Sequence, residues 1–175
     1  DIILITHNHR DHIDTSALNK IQKADTRIYL TQKCFEEFKN IKDATIMKNG
    51  DKVADRGITS EAVPAYNIVH MRSANTPFHP KGEGNGYIVT IGDKRVYIAG
   101  DTENTPEMKS LTNIDIAFLP MNLPYTMTPE MVADAVKAFK PRILYPYHYG
   151  NTMIDDLLSI LKDFTVTETR IRNMR

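Results

Sequence analysis

An α/β fold is what this sequence predicts, and two features predict it. Apolar runs of strand length alternate with segments that carry apolar residues at helical spacing, from one end of the chain to the other. No low-complexity linker and no internal repeat breaks the alternation, so residues 1–175 read as a single domain. With 175 residues, 41% of them hydrophobic, the chain can bury a sizeable core.

The elements follow in order. "DIILIT" opens the chain as an apolar strand. "DTSALNKIQ" follows as a helix, with Asp14 or Thr15 as its N-cap and Ala17, Leu18 and Ile21 on one face. "RIYLT" and "ATIM" are strands flanking the helical "QKCFEEFKNI". "NGD" at 49–51 is a turn, and "ITSEAVPAY" extends through Pro64. Residues 67–86 read as an irregular, polar loop marked by glycine and proline, of the length that usually carries function. "YIVTI-GDK-RVYIA" is a hairpin. Helix "PEMKSL", strand "IDIAFLP", helix "TPEMVADAVKAF", strand "RILYPY", helix "MIDDLLSILKDF" and strand "VTETRI" complete the chain. Thr128, Pro129 and Glu130 form an N-cap, an N1 proline and a first-turn acid.

Composition narrows the function. Lys and Arg number 22 and Asp and Glu number 22, a formal net charge of zero. That argues against a broad basic footprint for nucleic acid or an anionic membrane. The longest apolar runs are strand-sized, too short to span a bilayer as a helix. Cys34 is the single cysteine and has no internal disulfide partner. It reads as a small helix residue and suits a reducing compartment, so a cytoplasmic location is expected.

The chemistry concentrates in "THNHRDHID", where three of the six histidines and two aspartates follow the first strand. A polar turn behind a buried strand is the plain alternative. His7 and His9 stand two apart, so in extended chain both face one side and can grip one ion. Asp11 and His12 come where strand gives way to helix and can turn toward a second ion. Imidazole nitrogens and carboxylate oxygens suit zinc, with manganese and iron as alternatives. Two further strand ends supply candidates. "YIAGDTE" carries Asp101 behind Gly100, and "LYPYHYG" carries His148. One carboxylate between two cations can ligate both.

At "THNHRDH", "AGDT" and "PYHYG" the chain resembles the metallo-β-lactamase superfamily. "VPAYN", "FHPKGEGNGY", "IDIAFLPM" and "YTMTPE" look more narrowly like bacterial metal-dependent hydrolases related to L-ascorbate-6-phosphate lactonase and N-acyl-phosphatidylethanolamine phospholipase D. The resemblance implies an αββα sandwich with two divalent metals at one edge of its sheets. It implies His7, His9 and a third histidine on the first metal, Asp11, His12 and His148 on the second, and Asp101 bridging. Relatives often carry the third histidine directly after the strand that here ends "VPAY", where this sequence has Asn67. His79 is the choice for that role. His70 and the absence of any third histidine are the alternatives. Gly82, Gly84 and Gly86 are expected to let the chain after His79 bend toward the site.

Two cations sharing one water lower its pKa and aim a bridging hydroxide at a carbonyl carbon or phosphorus, with Asp11 and Asp101 as the catalytic carboxylates. The expected activity is hydrolysis of a small-molecule lactone, ester or phosphodiester. His70, Arg72 and Lys81 carry potential cations for an anionic substrate, and Asn122 and Tyr125 are candidate pocket residues. A nuclease of the same superfamily and a non-hydrolytic metal-binding or sensing module are the other readings. The neutral charge speaks against the nuclease, and the complete ligand set against the module. Such a sandwich normally has strands ahead of its first metal motif, so the native product is expected to extend upstream by roughly thirty to sixty residues.

Overall fold

The structure, a computed structural model, describes residues 1–174. In chain order the elements are β1 (Ile2–Leu4), α1 (Thr15–Ile21), β2 (Arg27–Leu30), α2 (Gln32–Glu37), β3 (Ala44–Ile46), β4 (Lys52–Asp55) and β5 (Ile58–Ala65). There follow β6 (Met71–Ser73), β7 (Thr76–Pro77), β8 (Gly84–Ile91), β9 (Lys94–Ile98) and α3 (Pro106–Lys109). The chain closes with β10 (Ile116–Pro120), α4 (Pro129–Phe139), β11 (Ile143–Tyr147), α5 (Ile154–Leu161) and β12 (Glu168–Thr169).

Two sheets form. The smaller is parallel, in the order β1-β2-β3. The larger runs β12-β11-β10-β9-β8-β5-β4, antiparallel from β4 to β9 and parallel from β9 to β12. Strand alternation sorts the side chains into three cores. On the small sheet, Ile28 and Leu30 face Leu18 of α1 and Cys34 of α2, while Tyr29 points the other way. Tyr29 there meets Ala62, Tyr87 and Val89 of the large sheet, flanked by Ile2 and Leu4, and these fill the space between the sheets. The far face of the large sheet buries Tyr97, Ala117, Leu119 and Leu144 against Met108, Val132, Val136, Phe139 and Leu157 of α3, α4 and α5. The layers are therefore helix, sheet, sheet, helix, the expected sandwich.

Caps define the helices. Asp14 caps α1, its Oδ1 accepting from the backbone N–H of Ser16 at 2.8 Å and of Ala17 at 3.2 Å. Thr128 Oγ1 accepts from the N–H of Met131 at 3.2 Å, with Pro129 in the first turn of α4. Thr128→Ala should lower stability by about 1 kcal/mol, read as a lower urea midpoint at unchanged m-value.

The structure corrects three local readings. β4 was not legible, being a short edge strand in which Lys52 and Ala54 are exposed. The segment 67–86 is only partly irregular: β6 and β7 form a two-stranded ribbon, and β8 already begins at Gly84. Gly84 and Gly86 are strand residues rather than hinges. A Cβ at Gly86 would lie 2.8 Å from the Ala99 carbonyl oxygen, so close backbone approach is what needs glycine there.

Candidate metal centre

Loops at one edge of the two sheets bring the candidate side chains together. Beyond β1 the chain stays on course, because the Ile5 N–H donates to the Tyr29 carbonyl at 2.9 Å. The Asn85 N–H donates to the Thr6 carbonyl at 2.8 Å, which ties this segment to the start of β8 and sets His7 across the edge of the large sheet. A tight turn follows, with the N–H groups of His12 and Ile13 both donating to the His9 carbonyl at 2.9 and 3.1 Å. Buried Ile13 anchors that turn in the core of the small sheet, leaving Asp11 exposed and His12 mostly buried beside it. Asp101 follows Gly100 at the end of β9, and His148 follows β11. Gly100 has φ +67° and His148 φ +46°, a left-handed conformation that a non-glycine residue rarely adopts.

Asp101 is the hub. Its Oδ2 lies 3.8 Å from His7 Nε2, 3.4 Å from His79 Nε2 and 3.7 Å from His148 Nε2. Its Oδ1 lies 3.3 Å from His12 Nε2. Asp11 Oδ2 stands 3.6 Å from His12 Nε2 and 3.5 Å from His148 Nε2. Nitrogen and oxygen atoms of His7, His9, His79 and Asp101 all fall within 4.8 Å of one another, and so do those of Asp11, His12 and His148. His9 reaches the first group through Nδ1, 3.2 Å from His79 Nε2.

The chemistry of this donor set fits metal ions. His7 Nε2, His12 Nε2 and Asp101 Oδ1 are buried, face the shared space and lack a hydrogen-bond partner of acceptable geometry. Buried polar atoms are rarely left so, and a cation is a partner that satisfies all three. Burial, with His12 nearby, pushes the His7 pKa down to about 2, keeping the ring neutral and its lone pair available. Burial and the adjoining His79 lower His9 as well. For Asp101 burial opposes ionisation, but His12 and His79 beside it outweigh burial and hold it well below the usual carboxylate range. His12 differs: burial opposes its charge, but Asp101 and Asp11 beside it outweigh burial and raise its pKa.

Two pockets open onto this hub and share His9, Arg72, Phe78, His79 and Asp101 in their walls. One, of about 220 Å³, adds Lys33, Pro77 and Pro80. The other, of about 400 Å³, adds Asp11, Asn122, Tyr125 and His148. Phe78 and Tyr125 meet edge to face with ring centres 5.0 Å apart. The Arg72 guanidinium lies 5.9 Å from the Phe78 ring centre, and its Nη2 is 3.4 Å from His9 Nε2. Among the described residues, no carboxylate forms an ion pair with Arg72.

Two candidates sit elsewhere. Lys81 is engaged by Glu107 Oε1 at 2.8 Å and by the Tyr66 hydroxyl at 3.3 Å, and it lines neither pocket. His70 places Nδ1 2.8 Å from Oε1 of Glu103 and is likewise absent from both linings. Lys33, Phe78 and Glu103 were not singled out from the sequence. Phe78 adjoins His79 in "FHPK", and Glu103 closely follows Asp101 in "GDTE", the signals that could have found them. Lys33, inside a helical segment, carried none.

Comparison with known proteins agrees with this geometry. The sequence pattern described as "Beta-lactamase superfamily domain" matches residues 1–149. A UPF0173 metal-dependent hydrolase of Symbiobacterium thermophilum is 34% identical over 156 residues, covering 85% of this chain and 65% of its own length. Another, from Enterococcus faecalis, is 33% identical over 154 residues, covering 86% of this chain and 68% of its own length. The chain therefore spans about two thirds of these relatives. The crystal structure of a candidate metal-dependent hydrolase from Parabacteroides distasonis superposes with a TM-score of 0.91 at 47% identity, over 99% of this chain and 76% of that one. With the sandwich, the convergent histidines and aspartates, and the matched span in agreement, the chain belongs to the metallo-β-lactamase superfamily.

Proposed function

We propose that this chain is the metal-binding part of a hydrolase that takes two divalent ions and cleaves a small-molecule lactone, ester or phosphodiester. One observation carries the reading: Asp101 faces histidines of both donor groups, Oδ1 toward His12 and Oδ2 toward His7, His79 and His148. His7, His9, His79 and Asp101 are the donors for one ion. Asp11, His12, His148 and Asp101 are the donors for the other. Zinc suits this set of nitrogen and oxygen donors, and manganese or iron are the alternatives. When bound, such ions supply Lewis acidity toward the substrate and an activated water at neutral pH.

The remaining work falls to the chain. Asp11 has a side chain 60% exposed on the pocket side, so it can accept a proton from the attacking water and return it to the leaving oxygen. Asp101 holds the imidazoles in register. Phe78 and Tyr125 give the substrate an apolar wall, and Asn122 offers an amide in the same cleft. Arg72 supplies an anchoring charge for a carboxylate or phosphate on the substrate, since a guanidinium binds such groups with two parallel hydrogen bonds. Arg72→Ala should raise KM about tenfold for an anionic substrate, a loss of about 1.4 kcal/mol, with little change in kcat. A neutral ester should show no such rise.

The test joins metal analysis to a panel of lactones, esters and phosphodiesters. About two metal equivalents per chain and turnover of one class are expected. Stripping the metal with a chelator should abolish turnover and lower the unfolding temperature. A metal at one hundred times its Kd contributes about 2.7 kcal/mol to stability. Stoichiometric metal with no turnover of any class, in the full-length protein, would reject hydrolysis in favour of a sensing or binding role.

A further inference from the structure

Asn67 stands at the end of β5, where the resemblance places a histidine, and its side chain is bound at both ends. The Asn67 Oδ1 accepts from the backbone N–H of His79 at 3.0 Å and faces the Nδ1 of the same residue at 2.6 Å. Its Nδ2 donates to Glu103 Oε1 at 3.0 Å and to the Tyr125 carbonyl at 2.9 Å. A backbone N–H can only donate, and a carboxylate or carbonyl only accepts, so the amide has one allowed orientation. Its oxygen lies against Nδ1 of His79, which must therefore carry the proton. In a neutral ring that leaves Nε2 bare, and Nε2 is the atom facing His9 and Asp101.

Glu103 braces this arrangement. It is fully buried and accepts from the backbone N–H groups of Ile68, Val69 and His70, each at 2.7 Å, besides Asn67. The His70 ring adds Nδ1 at 2.8 Å. A charge so surrounded holds the loop after β5 to the strand end that carries Asp101. Partners of this kind orient metal-ligating histidines and fix their tautomer.

We propose that Asn67, braced by Glu103, is a positioning residue that locks His79 in its Nδ1–H tautomer and so turns Nε2 to the metal. The proposal rests on the reading of His79 as a ligand. A purely structural Asn67 would stabilise the loop without governing the tautomer.

The first measurement needs no variant and is made on chelator-treated protein, because zinc on Nε2 would by itself hold the proton on Nδ1. Two-bond ¹H–¹⁵N spectra of the unmodified, uniformly ¹⁵N-labelled protein should show His79 protonated at Nδ1 only, and protonation at Nε2 would overturn the proposal. In Asn67→Ala the tautomer should become mixed, and one zinc equivalent should pass to a chromophoric chelator about 10–100-fold faster. Asn67→Asp keeps an oxygen for Nδ1–H but sets a second oxygen against Glu103 Oε1 and the Tyr125 carbonyl, so it should preserve the tautomer while lowering stability. A folded Asn67→Ala protein with wild-type tautomer and wild-type zinc release would overturn the proposal. The underlying reading is tested separately by His79→Ala: full zinc content there would remove His79 from the ligands and overturn the metal-facing clause, whatever its tautomer.

Discussion

Replacing Asp101 with alanine should empty both groups of metal donors at once and lower kcat/KM by about a thousandfold or more. The size of the effect follows from the geometry. Four histidines lie within 3.3–3.8 Å of its two oxygens, and among the described residues no other carboxylate reaches His7 or His79. Removing it leaves only imidazoles in the first group, and the second keeps a single carboxylate, the exposed Asp11, beside His12 and His148. His148→Ala removes one donor from one group and should spare the metal held by His7, His9 and His79. Asp101→Asn keeps the shape and one oxygen but loses the charge, so it should fall near the alanine variant if charge matters most. Elemental analysis of each purified variant, together with steady-state hydrolysis, checks this ordering. Metal content in Asp101→Ala equal to that of wild type would break the assignment.

The metal-type motif was legible because its chemistry is local. His7, His9, Asp11 and His12 lie within six positions, and the strand-then-turn that presents them follows from an apolar run meeting polar residues. Asp101 and His148 were legible for a related reason, since each terminates a strand whose apolar alternation marks it. The four layers were partly legible in the same way. Ala117 and Leu119, buried under the helices, alternate with the half-buried Ile116 and Phe118, as a strand with one fully covered face requires.

Residues 67–86 were not legible, because long-range bonds decide their path. The Asn67 N–H donates to the His79 carbonyl at 2.9 Å, and Glu103 gathers three backbone N–H groups from 68–70. No local pattern announces that a carboxylate 33 to 35 residues away organises a loop. The same bonds separate Arg72, which lines both pockets, from His70 and Lys81, which line neither, although all three looked alike as cationic loop residues.

Gly100→Ala should be the most damaging change that touches no ligand. The residue sits at φ +67°, where an L side chain strains the backbone by about 1–2 kcal/mol. An added Cβ would also lie 2.9 Å from the Asn85 carbonyl oxygen and 3.1 Å from Thr6 Cβ. Overpacking of that kind costs about 1–3 kcal/mol. The two effects add to about 2–5 kcal/mol, enough to lower the unfolding temperature by about 4–20 °C in a chain of this size. The displacement is aimed at the site, because Thr6 precedes His7, Asn85 is bonded to Thr6, and Gly100 precedes Asp101. Pushing these backbones apart widens the distance between the two ligands, so metal content should fall with stability. Gly92→Ala is the control. It shares the left-handed conformation, at φ +61°, but its Cβ would meet nothing within 4 Å. It should lose about 1–2 kcal/mol from strain alone and keep its metal. Thermal unfolding and elemental analysis of the two variants side by side separate strain from collision. Equal losses of stability, with metal retained in both, would show that the strand ends at Gly100 yield without disturbing the ligands they carry.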